Sequence, residues 1–263
     1  MKKKYDVMKA VFFDVDGTLV SHTNNQVPDS TRKALDKLKN KGIKRVVATG
    51  RHITELEGLP LKDIDFDGYI TLNGQLCLDH RKVVVYENPI KSEEKNIFVD
   101  LFYQKNIPIM LVEKDRMYIN FINRAVEEAQ NAISTPLPSK EEYTGDNIYQ
   151  VIAYVGKEKE AAIRKQLKNC KITRWNPYAV DIVSKGASKV AGIEQYIASS
   201  NIIKREVMAF GDGENDIEML QYAGIGIAMG NAEDMVKRNA DYITTHIDDN
   251  GVENALRYFK IIM

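Results

Sequence analysis

The sequence predicts an α/β protein: a doubly wound parallel sheet interrupted by an inserted α+β unit. Three observations carry that prediction. Apolar runs without alternation, Ala10-Val11-Phe12-Phe13, Val46-Val47-Ala48 and Val207-Met208-Ala209-Phe210, have the composition of strands covered on both faces. Each stops at small, acidic or hydroxyl-bearing residues, the place where an open α/β sheet binds its ligands. The alternation of strand and helix lapses near Val83 and resumes at Ser188.

Taken in order, the first strand ends at Asp14-Val15-Asp16-Gly17, and a polar loop runs from Ser21 to Gln26. Pro28-Asp29-Ser30 opens a helix that continues through Leu38 and is closed by Gly42. The second strand ends at Thr49-Gly50-Arg51, and a third, Asp67 to Leu72, ends at Asn73-Gly74. The insertion is assigned to residues 84–184. Helices are expected there over 92–105, 124–132 and 157–168, with strands over 107–112, 116–122, 148–155, 171–175 and 179–183. Thr135-Pro136-Leu137-Pro138 breaks regular structure between them. Beyond it the reading is a helix to Ser199, a strand Glu206 to Phe210, a helix Glu214 to Tyr222 and a strand Ile225 to Ala228. A helix Ala232 to Arg238, a short Asp241 to Thr244 segment and a helix from Gly251 complete the chain. The core is therefore residues 1–83 and 185–263, and the inserted unit is expected to turn on linkers at 83–86 and 184–187.

Composition narrows the function classes. Lys plus Arg and Asp plus Glu are 37 each, so the 263 residues carry no net charge and no basic footprint for nucleic acid. Apolar residues are 44% and charged residues 28%, ordinary for a water-soluble protein. Cys77 and Cys170 sit in separate strand-like stretches without a CxxC, and are read as reduced thiols, not metal ligands. Met1-Lys2-Lys3-Lys4 is basic, but the apolar run at Ala10 is short and carries Asp14. Neither a leader peptide nor a membrane span is expected, and the location is read as cytoplasmic.

Acids at the ends of core strands need a reason, since burying an unpaired carboxylate costs several kcal/mol. Asp14 and Asp16 either form a ligand site or turn to solvent at a glycine turn. Asp212 and Asp216 are hard oxygen donors of the kind magnesium takes together with water and a substrate phosphate. Asp216 also fits as a helix-start acid matched to the dipole, and Asn215 as a helix cap. Thr49 and Gly50 offer a hydroxyl and N–H groups to phosphate oxygens, or simply end a strand. Asn73-Gly74 is equally a hairpin-turn signal. Lys189 follows Ser188, a good N-cap, so its ammonium extends from a helix start.

Asp14-Val15-Asp16-Gly17-Thr18-Leu19, Thr49-Gly50-Arg51, Lys189 and Gly211-Asp212-Gly213-Glu214-Asn215-Asp216 resemble, in order, the four motifs of the haloacid dehalogenase superfamily. Thr71-Leu72-Asn73-Gly74, Lys185-Gly186-Ala187-Ser188-Lys189 and Gly230-Asn231-Ala232 are similar to its Cof-type sugar-phosphatase branch. That branch carries a large cap between the second and third motifs, where the insertion falls. The resemblance covers nearly the whole chain, and Val190 departs from it where the family usually has glycine.

The resemblance implies a magnesium-dependent phosphatase of small phosphorylated metabolites, sugar phosphates foremost, with a cap that closes over substrate. Asp14 would attack phosphorus to form an aspartyl-phosphate, and Asp16 would protonate the leaving oxygen and then activate water. Mg²⁺ would be held by Asp14, the Asp16 carbonyl and Asp212, with Asp216 supporting it from behind. Lys189 would neutralise the phosphate, and Thr49, Gly50 and Asn215 would fix its oxygens. No nucleic acid or membrane partner is implied, and the chain is expected as a monomer or weak homodimer. A phosphosugar mutase and a non-catalytic phosphosugar-binding module are the rival readings, and Asp16 argues against the second because binding needs no proton donor. Arg51, His22, His52, His80 and His246 lack paired spacing and are read as surface residues. Trp175, Tyr178 and Asp181 close the insertion and read as cap core before sugar platform.

Overall fold

The run Ala10–Phe13 forms β1, all four residues fully buried. The computed structural model describes residues 8–133 and 135–263, so the basic start Met1-Lys2-Lys3-Lys4 lies outside the described residues. After β1 come α1 (Asp29–Asn40), β2 (Lys44–Ala48), α2 (Ile53–Glu57), β3 (Gly68–Thr71), β4 (Leu76–Asp79) and β5 (Val84–Glu87). Helix α1 buries Thr31, Ala34, Leu35 and Leu38, the stripe expected of a one-faced helix. β1, β2 and β3 pair in parallel, whereas β4 and β5 return antiparallel.

That antiparallel return corrects one expectation. The linker placed at 83–86 is an edge strand, with Cys77 opposite Tyr86 and Leu76 opposite Glu87. The chain divides into two compact units, and the inserted one is Asn88–Ala187, a few residues downstream of the expected 84–184 at both ends.

The inserted unit holds α3 (Ser92–Gln104), β6 (Ile109–Val112), β7 (Met117–Ile119), α4 (Arg124–Ala132), β8 (Ser139–Lys140), β9 (Gln150–Ala153), α5 (Lys157–Arg164), β10 (Cys170–Asn176) and β11 (Ala179–Ser184). Its sheet runs β10-β11-β9-β6-β7-β8. Strand side chains alternate in direction. Ile109 and Leu111 therefore pack with Phe98 and Phe102 of α3 and Ile163 of α5, while Met110 packs with Val126 and Ala129 of α4. Trp175 packs against this second cluster and donates to Asp181 Oδ1 at 2.9 Å, whereas Tyr178 is exposed.

The first unit resumes at Ser188 with α6 (Lys189–Ser199), β12 (Val207–Gly211), α7 (Ile217–Tyr222), β13 (Ile225–Ala228), α8 (Asp234–Lys237), β14 (Tyr242–Ile243) and α9 (Gly251–Tyr258). Its sheet runs β14-β13-β12-β1-β2-β3-β4-β5, parallel from β14 to β3, so β1 is central. Ile193, Tyr196 and Ile197 of α6 and Met219 and Leu220 of α7 cover one face, against Ala10, Phe12, Val46 and Ile70. Val11, Phe13 and Val47 point the other way along the pleat, and α1 packs on β2 and on α9. Val190 packs against the first of these faces, so the departure from glycine there is accommodated. The helix expected over 214–222 is instead a 3-10 turn, Glu214–Asp216, followed by α7. The turn tightens because Asp216 Oδ2 reaches back to the N–H groups of Asp212 and Gly213 at 3.0 and 2.9 Å. Among the described residues no helix is long and apolar enough to cross a membrane.

Candidate active site

The carboxyl ends of β1, β2, β12 and β13 bring the motif residues together. The β1–β12 ladder continues one step past the strand, Asp14 N–H donating to Phe210 O at 3.0 Å, so Asp14 stands at the strand's very end with 7% exposure. Gly17 turns the chain away with φ +78°, and a Cβ there would lie 2.1 Å from Asp212 Oδ2. Only glycine lets Asp212 come so close to the turn. Thr18 Oγ1 donates to Asp212 Oδ1 at 3.0 Å.

Lys189 enters from the start of α6, where Ser188 Oγ accepts from Ala191 N–H at 3.2 Å and caps the helix. Gly74, with φ +88°, lets the β3–β4 turn press on that helix start, because a Cβ would meet Ser188 O at 1.9 Å. The Lys189 side chain is 1% exposed, and its Nζ donates to Asp14 Oδ1 at 2.5 Å and to Asp216 Oδ1 at 2.6 Å. Asp216 is fully buried; its other oxygen holds the two backbone N–H groups described above. One oxygen each of Asp14, Asp212 and Asp216 lies within 4.8 Å of the others.

Asp14 and Asp216 share the Lys189 ammonium with Asp212 beside them, and burial dominates how Asp14 and Asp212 titrate. Burial pushes the Asp14 carboxyl up to about 7; Lys189 pulls it back, while Asp216 and Asp212 add to the rise. Burial likewise lifts Asp212 to about 6, against the Thr18 hydrogen bond. Burial alone would lower Lys189, but Asp14 and Asp216 outweigh it and the ammonium is held above its usual range. Hard oxygen donors, crowded and short of positive charge, are the donor set a divalent cation such as Mg²⁺ fits.

A pH dependence follows. Both carboxyls titrate higher in the folded chain than their ordinary 3.8. The stability they contribute is complete below pH ~4 and is lost as pH rises through about 6 to 7. A divalent cation competes with those protons. The magnesium-induced rise in Tm is therefore expected to be small near pH ~5 and larger near pH ~8, measured by thermal melts with magnesium and with chelator. A rise that shrank with pH would contradict this placement of charge.

Asp16 does not join the carboxylate cluster. Its side chain turns to Arg51, whose Nε and Nη2 grip Oδ2 and Oδ1 at 2.7 and 2.8 Å. Arg51 is thus not the free surface residue expected; it is half-buried against a motif acid, and Asp16 holds its guanidinium above the usual range. His52 is also misplaced by the sequence reading. It is fully buried and caps α2, accepting from Thr54 N–H while Glu55 Oε2 accepts from His52 N–H at 2.7 Å. His22 and His80 are exposed, and the half-buried His246 accepts from Asp248 N–H at 3.1 Å.

Thr49 is buried at the end of β2, with Oγ1 accepting from Arg51 N–H at 3.1 Å, so its own proton is available to an incoming oxygen. Asn73 holds φ +52° in the turn after β3 and packs beside Gly50, and its Oδ1 accepts from Asn215 Nδ2 at 3.2 Å. Asn73-Gly74 is therefore both a turn between antiparallel strands and part of the rim. Lys185 is exposed in the inserted unit and donates to Lys168 O at 2.5 Å.

A doubly wound sheet with two acids after its central strand, a buried lysine and a second acidic loop after β12 is an arrangement suited to phosphoryl transfer. The chain belongs to the haloacid dehalogenase-like hydrolase family, whose sequence model matches residues 11–256. It is 30% identical over 258 residues to the 5-amino-6-(5-phospho-D-ribitylamino)uracil phosphatase YcsE of Bacillus subtilis (strain 168), spanning 97% of this chain and 96% of that one. Among solved structures, BT1666 of Bacteroides thetaiotaomicron, from the phosphatases of this superfamily, superposes with a TM-score of 0.83 at 32% identity, covering 97% and 96% of the two chains. The subclass IIB sugar phosphatase BT4131 does so with a TM-score of 0.77 at 35% identity, over 97% and 100%. The chain is accordingly an enzyme, a phosphatase of this family.

Proposed function

We propose that this phosphatase is a magnesium-dependent hydrolase of small phosphorylated metabolites, sugar phosphates foremost, that works in the cytoplasm through a phosphoaspartate on Asp14. The observation that carries the reading is Lys189 buried between Asp14 and Asp216 with Asp212 alongside. The likeness to BT4131, a sugar phosphatase, and to YcsE, which acts on a phosphoribityl compound, supports the substrate class. Two buried thiols without a disulfide suit a reducing compartment.

Asp14 Oδ1 is held by Lys189, so Oδ2 is the oxygen offered to phosphorus. As that bond forms, the bond to the leaving oxygen breaks and Asp16 gives it a proton. In the second half Asp16 takes a proton from water, whose oxygen attacks the phosphoaspartate, releasing inorganic phosphate and restoring Asp14. Both Asp16 oxygens accept from Arg51 in this structure, so one must be freed before Asp16 can donate. Lys189 balances charge on the transferring phosphoryl, and Thr49, Gly50 and Asn215 hold its oxygens. Mg²⁺, held by the carboxylates of Asp14 and Asp212 and the main-chain carbonyl of Asp16, and backed by Asp216, would supply Lewis-acid neutralisation of the phosphate and nucleophile. The inserted unit, Asn88–Ala187, would set the choice of leaving group.

The test is release of inorganic phosphate from a panel of phosphorylated metabolites, with magnesium and with chelator. Magnesium-dependent release from sugar phosphates is expected; movement of phosphate within one sugar, without release, would make the enzyme a mutase. Asp16→Ala should lower turnover of alkyl phosphates by ~10²–10⁴-fold and that of an activated aryl phosphate far less, since a good leaving group needs little proton assistance. Equal losses on both would remove Asp16 from the role of acid.

A further inference from the structure

Asn231 stands just beyond β13, at the same end of the sheet as Asp14, and the two ends of its amide are used differently. Oδ1 accepts from the backbone N–H of Ile247 at 3.0 Å. That contact fixes which way the amide faces, since an N–H opposite Nδ2 would be donor against donor. Nδ2 is thereby turned toward the site, where it donates to Gly17 O at 2.8 Å and to Asp212 Oδ2 at 3.3 Å. The other oxygen of Asp212 is held by Thr18. Both oxygens of one carboxylate are thus aimed by donors from different segments, the loop after β1 and the loop after β13.

We propose that Asn231 is a positioning residue for Asp212. It fixes the rotation of that carboxylate and ties it, through the Gly17 carbonyl, to the turn that carries Asp16, so that the metal's oxygen donors are oriented before the cation arrives. The proposal rests on the magnesium reading given above. The terminal torsion of an aspartate is broad and intrinsically weakly restrained. Without the amide, Asp212 is held by Thr18 at one oxygen only, and the conformational entropy of fixing the other on the cation is charged to binding. Removing a group that orients a metal-binding side chain typically weakens metal affinity ~10–100-fold.

Calorimetric titration of magnesium into the metal-free, full-length protein tests this, with melts in chelator alongside. Asn231→Ala is expected to bind magnesium about 10- to 100-fold more weakly than the parent while its folded state persists in chelator. A residue that merely tied down the Ile247 turn would lower the chelator Tm and leave magnesium affinity unchanged. If Asn231→Ala does not fold, Asn231→Gln replaces it: the amide is kept on an arm one methylene longer, which satisfies Ile247 N–H but displaces the donor from Asp212, and weaker binding is again expected. Magnesium affinity within about twofold of the parent in the folded variant, less than any loss expected of such a partner, overturns the proposal. Should the parent itself bind no magnesium, with Asp212→Asn indistinguishable from it, the metal reading falls and this inference falls with it. Parent binding that Asp212→Asn abolishes and Asn231→Ala leaves intact overturns only the role of Asn231.

Discussion

Asp14→Asn is expected to abolish turnover, by more than ~10⁴-fold with magnesium saturating, and to leave the fold intact. The substitution keeps the shape and a hydrogen-bond acceptor for Lys189 but removes the proposed nucleophile, and loss of a nucleophile can cost as much as the whole catalytic unit. Asp14 is 7% exposed, and burial holds its carboxyl up near 7, so its charge is a cost to the metal-free protein above that pH. The Asn variant should therefore melt, in chelator near pH ~8, no lower than the parent. Turnover above a few per cent of the parent would end the covalent route, and a collapsed melting temperature would show that Asp14 acts mainly in holding the fold.

Lys189→Ala is expected to cost about 10²–10³-fold in kcat, the size of losing a main electrostatic donor, whereas Lys185→Ala should change kcat little. Lys189 Nζ lies 2.5 Å from Asp14 Oδ1 on a capped helix of the same unit as Asp14, with 1% of its side chain exposed. Lys185 is exposed in the other unit and spends its ammonium on the Lys168 carbonyl. Removing Lys189 also leaves Asp14 and Asp216 buried without their counter-charge, a loss of about 3–5 kcal/mol that chelator melts would register. Steady-state kinetics on both variants decide the assignment, and a larger kcat loss from Lys185→Ala would reverse it.

The strands that carry these residues were readable because both faces of a central parallel strand are covered, and Ala10–Phe13 and Val207–Phe210 accordingly show no polar break. β5 escaped notice for the opposite reason. An antiparallel edge strand has one wet side, and Val84–Glu87, alternately half-buried and exposed, looks like the start of something new. The five residues of α2 are too few for a helical period to show, although His52 three positions before Glu55 has the spacing of a capping box. Asp14, Asp16, Asp212, Asp216 and Lys189 were visible from residue type at strand and helix ends. What the sequence could not give was direction. Nothing in Asp14-Val15-Asp16 says that the first acid faces Lys189 and the second faces Arg51. Arg51 directly follows Thr49-Gly50 at the end of a core strand, and that position was the available signal for its place in the site. Asn231 had the same kind of signal, a polar residue three positions past the end of β13.

The central place of β1 has a consequence for how the protein is made. Its two neighbours come from opposite ends of the message: β2 follows within a few tens of residues, but β12 pairs with Ala10–Phe13 from Val207 onward. The contact between Thr18 and Asp212 spans 194 residues. At ~5–20 residues per second on the ribosome, β1 waits on the order of 10–40 s with one backbone edge bare before its second partner exists. During that interval the nascent chain presents an unpaired strand of Ala-Val-Phe-Phe, a sequence suited to pairing with the wrong neighbour. The arrangement that brings acids from both halves of the chain to one point thus also leaves an all-apolar central strand with one edge bare until most of the chain has been made.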